Sequence, residues 1–420
     1  MPKSLPASIL SAAAVLLALL LFAVAGLLSS APSVPPGEVP SADAVRRARG
    51  AAVEVAMALA ADGTPRRVRL SGRDLEASAT LVGHGLDWVR VRPSIDGDAF
   101  VTDASVRVTG RTWLNVRSRV APGATAFPDV DLRVGAWRLP PTLVRGLLRA
   151  VDHVARWRGH ALPPATSMVR DVSVAGGSVA ATLAVPREML RFAREIVGSS
   201  EPPLDPAVVE AIYRRLSAAK LAPDASLGAA LRVAFAGRPT DVAPADYNRA
   251  AFIALAMHTV SPTAQRLAGS DVTIEPAAVA PPPLQLGGRQ DLAKHFTLSA
   301  ALATSLDPRF TRAMGEWKEL DDSLPGGSGF SFVDLTADRA GLHLARAAID
   351  PATAEAVAAR LAVVGDDELF PSAAHRLAEG LSEAEFSRRF GNIATVSYEQ
   401  AVRRVDRLLA RLPLYAPYVP

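Results

Sequence analysis

The chain has 420 residues, of which 49% are apolar and 21% charged, with a net charge of +4 and no cysteine. That length allows two or three domains with sizeable cores, and the charged fraction argues against disorder throughout. The missing cysteines exclude disulfides, Cys-ligated metal sites, thiol nucleophiles and lipid attachment at a cysteine, and the scattered arginines, without a zinc finger or an Arg/aromatic ladder, give no reason to expect a nucleic-acid partner.

Met1–Lys3 is a short basic head, and Leu5 to Leu28, "LPASILSAAAVLLALLLFAVAGLL", is almost wholly apolar. About 20 helical residues cross a hydrocarbon core of about 30 Å, so the run is long enough to span a membrane. A signal-peptide core is shorter, about 7–15 residues; cleavage after "SSA" at Ser29–Ala31 is the alternative to an uncleaved anchor. Residues 1–30 are read as a cytoplasmic head and transmembrane anchor. Lys3 favours an inner-membrane, single-pass topology with the body in the periplasm. Pro32, Pro35, Pro36 and Pro40 make residues 31–41 a Pro-rich stalk.

Residues 42–185 read as an α+β domain. A helix from Ala42 to about Met57 is followed by a strand and a short helix capped near Ser71 in "RRVRLSGRDLEASATLVG". "DWVRVRPSI", "DASVRVTG", "TWLNVRSRV" and "DVDLRVGAWRLP" alternate with period two, the mark of half-buried strands. "SIDGDAF" and "VAGGSVAATLAV" carry Asp-Gly and Gly-Gly hairpin signals. Residues 65 to 185 are therefore expected to form one antiparallel sheet, with the helix Pro141 to Trp157 lying across it. That helix lines up Leu143, Leu147, Val151 and Val154. Packing on the sheet is the expected use of this face, and lying on a membrane surface is the other.

From residue 186 to 420 the spacing is helical, which predicts a mostly α-helical domain. It carries a polar constellation in three pieces. In "DLAKHFTLSAALA", Asp291, His295 and Ser299 recur every four residues and share a helix face. In "GEWKELDD", Glu316, Glu319 and Asp322 recur every three. In "SFVDLTADRAG", Asp334 and Asp338 are four apart, and Ser331-x-x-Asp334 has the form of a capping box with Asp in place of Glu. His343 falls off that face. The acidic stretch with Asp366, Asp367, Glu368 and His375 reads as a solvated loop, and Tyr415 as packing the tail onto the body.

Buried carboxylates with an imidazole suit a divalent metal ion, which would offset their repulsion. The ligands expected are His295, Glu319, Asp322 and Asp338. Asp291 would orient His295, and Lys318, Asp334 and Arg339 complete the network. There is no His-Glu-x-x-His, and the oxygen-rich set favours Mg²⁺, Mn²⁺ or Ca²⁺. The same residues also serve as a purely architectural network if every acid finds a partner. A Ser/His/Asp arrangement of Ser299 or Ser328 with His295 has no positive support.

"GRQDLAKHF", "KELDD" and "GFSFVDLTADRAG", within Gly288–Gly341, resemble the D-x-x-x-H … K-E-x-x-D … S-x-x-D-x-x-x-D-x-x-G order of the YfiM-like envelope lipoproteins. The matching positions are Asp291, His295, Lys318, Glu319, Asp322, Asp334, Asp338 and Gly341. The resemblance covers under a fifth of the chain, brings no activity with it, and departs from the family in lacking the lipobox cysteine. With "YNRAAFIALA" and the ending "LPLY", the whole chain resembles proteobacterial membrane-anchored envelope proteins, which implies location rather than reaction. Two functions are carried forward: non-catalytic binding or scaffolding of an envelope protein or lipid, and a metal-dependent hydrolase acting on an envelope polymer or lipid.

Overall fold

The change from period-two to helical spacing is followed by the chain in its computed structural model, which describes residues 26–122, 127–160, 162–189, 204–267, 274–275 and 281–419. The fold class is α+β, with antiparallel sheets first and helices after. Two units divide it: Met1–Glu38 with Arg46–Gly198, and Val39–Val45 with Ser199–Pro420. The anchor run up to Ala25 lies outside the described residues, and among those described no helix is long and apolar enough to cross a membrane.

The first half of the chain runs β1 (Leu28–Ser29), α1 (Ala42–Ala60), β2 (Arg66–Ser71), α2 (Gly72–Gly85), β3 (Val89–Asp96), β4 (Ala99–Thr109), β5 (Thr112–Ala121), β6 (Asp129–Val134), β7 (Trp137–Leu139), α3 (Pro141–Trp157), α4 (Ala165–Met168), β8 (Val169–Ala175) and β9 (Ser178–Leu183). The single sheet expected over 65–185 is instead two. One has the order β3-β4-β5-β6-β7 with β1 on β5, the other β2-β9-β8. The division starts at Ser71. It ends β2 and caps α2, its hydroxyl accepting the Asp74 amide while Asp74 takes the Ser71 amide. The chain thus leaves the sheet before β2 can pair with β3. The β8–β9 hairpin supplies the missing partner, in register from Arg66↔Leu183 to Ser71↔Ser178.

Two further features of the first half bear on the sequence reading. Part of the Pro-rich stretch 31–41 is held on the sheet. The Ser33 and Val34 amides donate to Ser105 Oγ at 3.0 and 3.1 Å, Arg90 Nη1 donates to the Val34 carbonyl at 3.3 Å, and Val34 is buried. An extended Pro-rich backbone has no internal hydrogen bonds, so its amides take partners from the sheet. Helix α3 does not bury its Leu143, Leu147, Val151 and Val154 face; all four are exposed. It touches β6, β7 and α4 through one edge, where Val144 and Leu148 are half-buried and Ala155 is buried. The three-residue β7 is too short to offer it a surface.

The second half runs α5 (Pro206–Ala218), α6 (Leu227–Phe235), α7 (Pro244–Thr259), α8 (Gln290–Ala303), α9 (Pro308–Asp322), α10 (Phe332–Ile349), α11 (Ala354–Leu361), α12 (Asp366–Leu369), α13 (Glu383–Phe390) and α14 (Val396–Leu409), with 3₁₀ turns at Pro262–Leu267 and Ser372–Arg376. Helices α7 and α10 form its centre. Both are buried on every side, α7 from Tyr247 to His258 except Arg249 and α10 from Phe332 to Ala345, as expected of a helix enclosed by others. The acidic stretch expected as a solvated loop holds α12. The Asp366 carboxylate accepts the Gly228 amide at 2.8 Å in the first turn of α6, where a negative charge is favoured, and Glu368 pairs with Arg360. Tyr415 is fully buried and donates to the Leu369 carbonyl at 2.8 Å, which fixes the tail.

Helices α8 and α10 form the most extensive pairing in the helical unit. Gly341 makes it possible. A Cβ there would lie 2.2 Å from the Phe296 carbonyl oxygen and 3.1 Å from the Ala300 nitrogen. Both obstacles are backbone and cannot rotate away. Gly341→Ala is expected to cost roughly 1–3 kcal/mol through forced separation of the helices, read as a lower urea midpoint; an unchanged midpoint would mean that α8 and α10 do not approach this closely.

Candidate metal centre

The α8–α10 approach sets a polar cluster between α8, α9 and α10. His295 comes from α8, and Asp334 and Asp338 come from successive turns of α10. His295 Nδ1 lies 3.1 Å from both Asp338 oxygens, and its Nε2 lies 3.4 Å from Asp334 Oδ2. The imidazole is thus flanked by carboxylates on both sides, and all three residues are buried. Burial opposes its charge, but the Asp338 charge and the hydrogen bonds to Asp334 and Asp338 outweigh that, and the imidazole pKa is raised to about 10. For Asp334, burial acts upward, yet the His295 hydrogen bond and charge hold it below the usual carboxylate range.

Glu319 of α9 is fully buried. Its Oε2 accepts the Ser331 amide at 2.9 Å and its Oε1 lies 3.1 Å from Lys318 Nζ. Ser331 caps α10, its hydroxyl accepting the Asp334 amide at 3.0 Å. The reciprocal half of the expected capping box is therefore made by Glu319 from another helix, while Asp334 turns to His295. Burial pushes the Glu319 carboxyl up to about 7. Lys318 works against this rise, and Asp338 and Asp334 add to it. One ligand atom each from His295, Glu319 and Asp338 lie within 4.8 Å of one another, a group able to hold a metal ion. With Asp322 outside it, the group has one imidazole and two carboxylates, which keeps Mn²⁺ from the Mg²⁺, Mn²⁺ or Ca²⁺ expected of the oxygen-rich set and adds Zn²⁺.

The remaining sequence candidates take other places. Asp322 pairs with Lys318 at 2.6 Å and stands outside the metal-holding group. Three-residue spacing drifts backward around a helix, so Glu316, Glu319 and Asp322 do not share one direction. Asp291 does not orient His295; it pairs with Arg289, whose hydrogen bond holds its carboxyl below the usual range. Asp334 does the orienting. Arg339 leaves the cluster altogether. It forms a bidentate pair with Asp406 of α14 at 2.6 and 2.7 Å, with His343 Nε2 3.7 Å from the same carboxylate. Glu316 belongs to that second group, where burial raises its pKa despite Arg312 and Arg339. Ser299 Oγ donates to Asp338 Oδ1 at 2.7 Å rather than to His295, so its proton is committed away from the imidazole and Ser299 is not set up as a nucleophile.

His295, Asp334 and Asp338 line a cleft of about 600 Å³, and Glu319, fully buried, lies outside its lining. Val260, Leu298, Leu302 and Met314 give the cleft an apolar wall, while Arg289, Lys294 and Lys318 supply cations. Sequence reading missed Arg289. It joins the sites by pairing with Asp291, Asp334 (3.2 Å) and Glu379 (2.6 Å). Its place just before the Asp291 motif was the one available signal. Glu379, distant in sequence, had none.

Comparison with family models, curated proteins and solved structures finds no match. The site is therefore read from its own chemistry.

The imidazole proton sets a pH dependence. A His whose pKa is raised on folding contributes fully below the exposed-imidazole value of about 6.5, and the contribution is lost as pH rises through the folded value. For His295 that window closes at about 10. The metal-free chain is expected to lose on the order of a few kcal/mol across this window that His295→Gln does not lose. Denaturant midpoints measured at steps of pH check this, and parallel curves for the two proteins would refute it.

Proposed function

We propose that this chain is a single-pass envelope protein of the inner membrane with its body in the periplasm, and that its helical unit is a metal-dependent hydrolase acting on an amphiphilic envelope lipid or polymer. His295, Glu319 and Asp338 would hold a divalent cation at the floor of the cleft. One observation carries the catalytic reading: three helices bring one imidazole and two carboxylates within 4.8 Å of one another beneath a 600 Å³ cleft. Such an ion would polarise a carbonyl or phosphoryl oxygen and lower the pKa of water. The chain's own residues supply the rest. Glu319, pushed up to about 7 by burial in the metal-free chain, would have to give up its proton to serve as a ligand. Asp334 holds the imidazole in place from the side away from Asp338. Lys294 suits an anionic group, since Arg289 and Lys318 are engaged by carboxylates, and the apolar wall suits a hydrocarbon segment. The apolar run Leu5–Ala25 is still about as long as the roughly 20 residues a membrane-spanning segment needs, even with Leu28 taken into β1. The likeness of Gly288–Gly341 to the YfiM-like lipoproteins agrees with an envelope location.

A second reading, an architectural network in a non-catalytic binding or scaffolding protein, is favoured by one observation. Both His295 nitrogens already face carboxylates.

Elemental analysis of the purified full chain separates the two. On the catalytic reading the chain holds close to one Mn²⁺ or Zn²⁺, His295→Ala holds little, and Asp322→Asn keeps it. Metal uptake also releases protons, since the imidazole must give one up; calorimetry in buffers of different ionisation enthalpy detects this. Chromogenic phosphate and carboxyl esters then test turnover. No metal in any of the three proteins and no thermal shift with added divalent ions would leave the architectural reading standing, with His295→Ala expected to melt at a lower temperature.

A further inference from the structure

Helix α3 carries a continuous apolar stripe that no described residue covers. Leu143, Leu147, Val151, Val154 and Trp157 recur at three- and four-residue steps, and all five are exposed, Trp157 by 80%. Arg145, Arg149 and Arg156 occupy the opposite side, with Arg145 paired to Asp129. Asp152, the helix's one acid, is turned inward, where it accepts the Ala165 amide at 3.0 Å. Only one edge of the apolar sector, Val144, Leu148 and Ala155, packs against the unit. A water-facing stripe of this size on a monomeric surface needs a partner.

The path of the N-terminal chain identifies the partner. Gly26 and Leu27 end the apolar run against the β6–β7 turn, just before α3 in sequence. The Ala136 amide donates to the Gly26 carbonyl at 2.7 Å. Gly135, at φ +57°, approaches so closely that a Cβ there would lie 2.3 Å from the Gly26 oxygen. The start of α3 is therefore fixed within a few residues of the point where the run emerges. With three arginines and an aspartate α3 is too polar to cross a bilayer, but an apolar stripe opposite a basic face is the form of a helix lying in the headgroup region. The arginines on the opposite side would keep that face in water while the stripe enters the lipid.

We propose that α3 lies on the bilayer surface, its Leu143–Trp157 stripe sunk among the lipids beside the anchor. The placement draws on the anchor reading, whereas the stripe itself does not. The chain has no cysteine, so single-cysteine variants of the full chain give a clean background. Leu147→Cys, Val151→Cys and, on the polar side, Arg149→Cys would each carry an environment-sensitive dye. They would be reconstituted into phosphatidylcholine/phosphatidylglycerol vesicles with and without spin-labelled lipid. Leu19→Cys reports the anchor separately. The 147 and 151 labels are expected to be quenched about two-fold more than the 149 label. Equal quenching at 147, 151 and 149 would overturn the proposal. So would labels shielded from water yet unquenched by lipid, the signature of a second copy on the stripe. An unquenched label at 19 would sink the anchor reading alone. In that case preferential quenching at 147 and 151 would still support α3 as a lipid-binding helix.

Discussion

The approach of α8 to α10 is the constraint on which the helical unit depends. Gly341 leaves no room for even a methyl group between the helices, and at that separation His295 falls between two carboxylates one turn apart on α10. The arrangement is costly to assemble, because several ionisable groups leave water together. It persists because each finds a partner within hydrogen-bond or ion-pair reach. Removing one member would strand the others.

Helix α10 carries a second buried network in parallel. Asp334 and Asp338 face His295, while Arg339 and His343, each offset from the first pair, face Asp406. The helix is a spine with acids toward the cleft and a guanidinium toward α14. The aromatic cluster at its start holds this orientation. Phe330 stacks on Phe386 with ring centres 4.3 Å apart, and Phe332, Phe390 and Tyr398 close around them. Rotation of α10 about its axis would break both networks and the cluster together.

Much of this was legible in the sequence where the signal was local. Four-residue spacing put Asp334 with Asp338, period-two alternation marked the strands, and Ser71 and Ser331 announced their helices. What failed was decided by distant residues. Asp291 has the right spacing to orient His295, but Arg289 takes it first. Glu316 looked like a neighbour of Glu319, yet the drift of a helix sends it toward Arg339. The two sheets could not be told from one, because strand patterns specify a face and not a partner. The exposed stripe of α3 was misjudged for a related reason: amphipathicity says that a face needs covering, not what covers it.

The amide of Ser331 has a consequence for the cleft as a whole. Glu319 serves at once as a member of the charged cluster and as the clasp on the amide of Ser331, the cap of α10. Ser328, Gly329 and Ser331, the segment it holds, line the cleft. Any event that draws this carboxylate elsewhere, whether a proton or a cation, slackens the clasp. The firmness of the cleft's rim and the charge at its base are thus one variable, expressed in two places.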